Sequence, residues 1–196
     1  MSQADFTFEH SWEAEILAER PLILPPRRFV YPREAEEVER GALEAMVRPA
    51  EGAAFLATFA LGFADPMAPT GLWSCPQRDE MCAVAGGYAY VVNTREPERF
   101  THLPFRPVLE VRALAEQGLL LFAGHYALMA WGAAGQAWQT GRLSAEGVRI
   151  AEIQGDELRG FGWDLLTDRE VPFRVDLRTG ERLQELSPQR TQKLQS

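Results

Sequence analysis

Residues 82–92 read CAVAGGYAYVV and residues 120–130 read LLFAGHYALMA, so the phrase Ala-Gly-x-Tyr-Ala recurs at an offset of 38 residues. In each copy an apolar run climbs to a glycine-containing dipeptide and a second apolar run leaves it, the pattern of two strands joined by a tight turn. The phrase predicts two-residue turns centred on Gly86-Gly87 and Gly124-His125, of the type II′ geometry that needs positive φ at its first central position. Ala85 then faces Tyr88, Ala123 faces Tyr126, and Cys82 takes the place that Leu120 takes in the second copy. On this reading the phrase carries shape rather than chemistry.

Working outward, the same grammar repeats. GAAG at 132–135 joins YALMAW to QAWQTGRL, and Gly155-Asp156 joins VRIAEIQ to ELRGFGW, placing Glu152 opposite Arg159 and Val148, Ile150, Phe161 and Trp163 on one face. VPFRVDL alternates, with Val171, Phe173, Val175 and Leu177 inward. AFLATFAL is short and apolar enough for a buried strand, and GFADPMAPTGLW is a loop by its glycines and prolines. The expected fold class is mainly β (α+β): an antiparallel meander of hairpins in a curled or two-layer sheet.

Upstream the pattern changes. Residues 1–31 combine SWEAEILAER with the proline-broken PLILPPRRFVYP, which predicts an extended N-terminal arm without regular ladders. PREAEEVERGALEAMVRP then reads as an amphipathic helix over 33–48. Pro32 suits its first turn, the glutamates at 34, 36 and 37 suit its positive end, and Pro49 stops it. Val38, Ala42, Ala45 and Met46 form its sheet-facing side. A single β-rich domain over 32–186 and a flexible tail over 187–196 complete the expected organisation.

Residues 118–142, GLLLFAGHYALMAWGAAGQAWQTGR, resemble one blade of a β-propeller of the quinoprotein or WD type: strand, turn, strand, glycine turn, tryptophan. Gly124-His125 followed by Trp163-Asp164 adds to the likeness. Propellers close through several blades of roughly 40–50 residues, whereas the phrase occurs twice, so the resemblance implies a local meander and assigns no functional residue.

Composition narrows the function. The 196 residues are 46% hydrophobic and 24% charged, as in globular domains, with a net charge of -8. That acidity argues against a phosphate-neutralising, nucleic-acid-binding surface. Of 20 basic residues only Lys193 is lysine, near the end of the chain, which disfavours a Walker A loop, a kinase-type ATP lysine and a Schiff base. The arginine and alanine bias suggests a high-GC bacterial source. No apolar run reaches membrane-spanning length and the first residues are acidic, so a cytoplasmic location without membrane association is expected.

Chemistry-bearing residues are sparse. Cys75 and Cys82 lie too far apart for the usual zinc pairs, and read as reduced thiols, Cys82 in the core and Cys75 more exposed; no metal or cofactor is expected. No Gly-x-Ser-x-Gly elbow occurs. Asp164, Asp168, Glu170 and Asp176 could serve glycoside hydrolysis or calcium binding, but read better as a solvated loop paired with Arg169 and Arg174. The densest aromatic pair is Trp131 and Trp138 around the GAAG turn, with Met129 opposite Trp138 and Trp131 on the same face. Tyr126, Leu128 and Ala137 make the other face apolar too, so both faces need cover or a partner. Met129, Trp131, Trp138 and His125 are therefore the candidate binding residues. The expected function is a non-enzymatic binding or protein-interaction module, for instance of immunity type, whose acidic surface meets a basic protein partner. The alternative is a small-ligand-binding protein or hydrolytic enzyme with its pocket at the Trp131, Trp138 and His125 end of the sheet.

Overall fold

The structure, a computed structural model, describes residues 3–33, 41–62 and 68–184. These residues are mainly β and contain no helix. Sheet I comprises β2 (Trp12–Ile16), β4 (Ala42–Pro49), β5 (Phe55–Ala60) and β3 (Arg28–Tyr31) in that spatial order. Sheet II has the order β1 (Gln3–Asp5), β6 (Gly71–Ser74), β7 (Glu80–Ala85), β8 (Tyr88–Asn93) and β9 (Phe100–His102). Sheet III is β10 (Glu110–Leu114), β11 (Leu119–Ala123), β12 (Leu128–Gly132) and β13 (Gly135–Gln139), and sheet IV is β14 (Val148–Gln154), β15 (Glu157–Asp164) and β16 (Arg169–Asp176). Pairing is antiparallel except for β1 on β6 and β3 on β5.

The sheets stack face to face in the order I, II, III, IV, with a core in each gap. Alternation along the strands decides which core each residue enters. On β7, Met81, Ala83 and Ala85 join Leu43, Ala45, Val47, Phe55 and Phe59 between sheets I and II, while Cys82 and Val84 point the other way. On β11, Leu120 and Phe122 meet that second core, and Leu119, Leu121 and Ala123 join Leu158, Phe173 and Val175 between sheets III and IV. Sheets II and III are thus covered on both faces, which explains why their strands read as unbroken apolar runs.

A curled or two-layer sheet is therefore corrected to four layers. The helix expected over 33–48 is corrected as well: residues 34–40 lie outside the described residues, and β4 occupies 42–49. Leu43, Ala45 and Val47 are buried while Arg48 faces solvent. Ala42 and Met46, expected beside Ala45, lie on the opposite side of the strand. The helix-forming composition of this segment yields to ladders with β2 on one side and β5 on the other. The prolines at 21, 25 and 26 do interrupt the N-terminal segment, but ladders form on either side of them, as β1, β2 and β3.

Hairpin positions follow the sequence more closely than hairpin details. Ala85 pairs with Tyr88, Gly132 with Gly135, Gln154 with Glu157 and Glu152 with Arg159. Gly86 and Gly87 both have positive φ, 55° and 80°, so their turn is type I′ rather than II′. The second copy differs further: Ala123 pairs with Leu128, leaving a four-residue loop, Gly124 to Ala127, and Gly124 keeps an ordinary φ. In sheet IV a bulge between Ile150 and Glu152 leaves Ile150 in the core but puts Phe161 and Trp163 on the other face, where the Arg149 guanidinium lies 4.4 Å from the Phe161 ring centre.

The two phrase copies look at each other. Cys82 and Val84 correspond to Leu120 and Phe122 in the phrase, and all four enter the same core. Successive propeller blades present equivalent residues to successive interfaces, whereas here equivalent faces meet across one, as in a sandwich.

Candidate interaction surface

The four residues singled out in the sequence are not brought together at the surface. Met129 is fully buried, and Trp131 and Trp138 are nearly so. A bulge between Ala130 and Trp131 shifts the register, so Trp138 pairs with Ala130 and Met129 with Gln139. Trp131 consequently enters the core between sheets II and III, and Trp138 the core between III and IV. Each indole N–H is engaged: Trp131 Nε1 donates to Glu80 Oε2 at 2.9 Å, and Trp138 Nε1 to the Leu177 carbonyl at 2.6 Å. The pair expected on one face, and open enough to anchor a partner, is thus split between two cores. Of the four, His125 alone reaches solvent.

His125 does mark a surface end of the stack. Beside it, Tyr126 is 51% exposed in the four-residue loop. The Tyr126 carbonyl accepts from the Leu143 amide at 2.7 Å and the Ser144 amide at 3.3 Å, tying the loop to the connection between sheets III and IV. From that connection Arg142 places its guanidinium 4.8 Å from the Tyr126 ring centre while its Nε donates to the Ser144 carbonyl at 3.0 Å.

Ser144 locks the connection to sheet IV. Its buried hydroxyl donates to the Gly147 carbonyl at 2.6 Å and accepts from the Glu146 amide at 3.1 Å and the Trp163 amide at 2.8 Å. The Ala145 amide donates back to the Trp163 carbonyl at 2.8 Å. Next to Trp163, the loop between β15 and β16 is held by Asp164, which accepts from the Leu166 amide at 3.0 Å and the Thr167 hydroxyl at 2.9 Å. Asp168 closes it with φ of 53°. The loop projects two leucines into water, Leu165 at 67% and Leu166 at 96% exposure. Between these elements lies an open cleft of about 590 Å³ whose lining includes Arg142, Trp163, Leu165 and Leu166.

The result is a contiguous platform of Tyr126, Arg142, Trp163, Leu165 and Leu166 on a hydrogen-bonded frame. In the sequence, WDLLTD offers Trp163 to a strand face and its acids to a solvated loop, and Leu165 and Leu166 carry no assigned role. The usable signal was two leucines set among turn-forming residues, where no core could claim them.

Two of the four acids act as surface partners, with cations other than Arg169 and Arg174. Glu170 pairs with Arg149 at 2.9 Å, and Asp176 with Arg178 at 3.3 Å. Hydrogen bonds from Arg174 and Arg159 hold Glu157 down to a pKa of about 2. Cys75, expected to be the more exposed thiol, is as fully buried as Cys82, and burial pushes both thiols up. Among the described residues no three His, Cys, Asp or Glu side chains converge as a metal site requires, and no helix is long and apolar enough to cross a membrane. Comparison with known protein families and with curated proteins finds no match to this chain.

Proposed function

We propose that the protein is a binding module that docks a protein partner on the Tyr126, Arg142, Trp163, Leu165 and Leu166 platform. The observation that carries this reading is the pair Leu165-Leu166, presented to solvent on a loop that Asp164 fixes. Exposed leucines on a rigid tip, beside an arginine-stacked tyrosine and a tryptophan, match the apolar and aromatic composition of interface centres, and a preformed frame lowers the ordering cost of binding. The net charge of -8 favours encounter with a basic partner. Trp131 and Trp138 lie in two different cores, so the Leu165-Leu166 platform, rather than the Trp131, Trp138 and His125 end of the sheet, is the surface this reading uses.

Capture of partners from an extract of the source cells tests the reading. The intact protein is expected to retain a partner that a Leu165→Ser/Leu166→Ser variant of unchanged melting temperature loses. Equal capture by both, or dimerisation of the protein through these leucines in light scattering, would refute it.

A further inference from the structure

A second cleft, at the far end of the stack, carries a different chemistry. It lies where β2 and β4 meet the turn between β6 and β7, has a volume of about 570 Å³, and is lined by side chains including His10, Trp12, Glu13, Arg48 and Arg78. We propose that this cleft binds a small organic phosphate carrying a planar ring.

Two segments bring guanidinium N–H donors to the cleft, and a third brings an imidazole nitrogen that accepts. Arg78 enters from the β6–β7 turn, and its backbone is fixed because its carbonyl accepts from the Ser11 amide at 2.9 Å. Among the described residues its exposed guanidinium has no acid within ion-pair distance. Arg48 enters from the end of β4 and touches a carboxylate only loosely, Glu15 at 3.8 Å. His10 precedes β2; its Nδ1 lies 2.8 Å from the Phe8 carbonyl and so carries the proton, leaving Nε2 unengaged.

The counter-charges are accounted for. Asp79, next to Arg78, is engaged by the Ser11 hydroxyl and by Arg95 at 3.3 Å. Glu13 is the one acid on the lining, against two guanidinium groups, on a chain that is acidic overall. A phosphate suits this set, since guanidinium forks match its oxygens with paired, charge-assisted bonds.

Beside the cations is an aromatic shelf. The His10 ring lies 4.8 Å from the Trp12 ring and 5.4 Å from Phe6, and Phe6 meets Trp12 edge-on at 5.3 Å. Trp12 is buried beneath, while Phe6 is 37% exposed. A planar group attached to the phosphate would lie on this shelf.

Isothermal titration of the full chain at low ionic strength, with phenyl phosphate and with inorganic phosphate as probes, tests the proposal. Phenyl phosphate should bind one to one and more tightly than inorganic phosphate. Arg78→Gln should weaken it about tenfold, the worth of one charge-assisted contact. Phe6→Ala should remove the advantage of phenyl phosphate over inorganic phosphate, and Arg178→Gln, in the turn after β16, should change nothing. No saturable binding, equal binding of the two probes, or equal sensitivity to the two arginine substitutions would overturn it. Folding of each variant is checked by its melting temperature, and the Leu165→Ser/Leu166→Ser variant should bind phenyl phosphate normally, which separates this site from the partner-docking platform.

Discussion

The two copies of Ala-Gly-x-Tyr-Ala share four of five letters but not conformation. At 85–89 the chain reverses through two glycines with positive φ, and Tyr88 starts a strand, with the Arg106 guanidinium 4.7 Å from its ring centre. At 123–127 the chain takes four residues to reverse, and the tyrosine stands in solvent. What they share is tertiary. The connection from sheet II to sheet III passes both turns: the Val108 amide donates to the Gly87 carbonyl and the Leu109 amide to the Ala123 carbonyl, at 2.9 and 2.8 Å. A Cβ on Gly87 would lie 2.9 Å from Pro107 Cβ, and one on Gly124 would lie 3.0 Å from the Phe105 ring and 3.1 Å from the Pro107 carbonyl. Both glycines make room for one connector. Gly87 aligns with His125 in the phrase and Gly124 with Gly86, so the room comes from different phrase positions, and similar local sequence fixes neither a common turn nor a common contact.

The largest test concerns the core where the copies face each other. Phe122→Ala removes a fully buried ring and should cost about 3–5 kcal/mol, against roughly 2 for its phrase counterpart in Val84→Ala. Urea unfolding of both variants measures this; a negligible loss at Phe122 would break the facing arrangement.

Next is the difference between the turns. Gly87→Ala meets both positive φ and the Pro107 contact, and should cost about 2–3 kcal/mol, whereas Gly124→Ala meets crowding alone and should cost about 1. Equal losses would mean that the second turn also needs the left-handed conformation.

A smaller effect joins the copies through charge. Glu80, on the strand of the first copy, accepts from Trp131, on the second. Burial raises its pKa, opposed by that hydrogen bond and by Arg99. A carboxyl whose pKa rises on folding contributes stability below the ordinary Glu range and loses it as pH climbs through the raised value. Glu80→Gln keeps an acceptor for Trp131 and should be slightly more stable than the parent at pH 7, the gap closing on acidification. Melting curves across pH check it, and a variant less stable at pH 7 would show that the charged hydrogen bond outweighs burial.

The smallest effect separates the tyrosines. Tyr126→Ala should shift stability by no more than about 0.5 kcal/mol, because its ring is at the surface, and by less than Tyr88→Ala. A large loss at Tyr126 would make the loop a structural element rather than part of a docking platform.

The sequence by itself determined the strand-and-turn grammar. Alternation placed Phe173, Val175 and Leu177 inward, though Val171, expected with them, lines the surface cleft instead, and glycine pairs marked the reversals at 86–87 and 132–135. These are local properties, set by the period of a strand and by which residues tolerate a given φ. Tertiary structure decided the rest. GALEAMVRP carries helix-forming residues yet becomes β4, because ladders on both edges outweigh an intrinsic preference of a few tenths of a kcal/mol per residue. One bulge at Ala130-Trp131 sent the two tryptophans into different cores, since a single inserted residue reverses every later side chain. Both surface sites join residues from segments far apart in the chain, Tyr126 with Leu165 and His10 with Arg78, and no pattern along the sequence encodes which loops the stacking of sheets brings side by side.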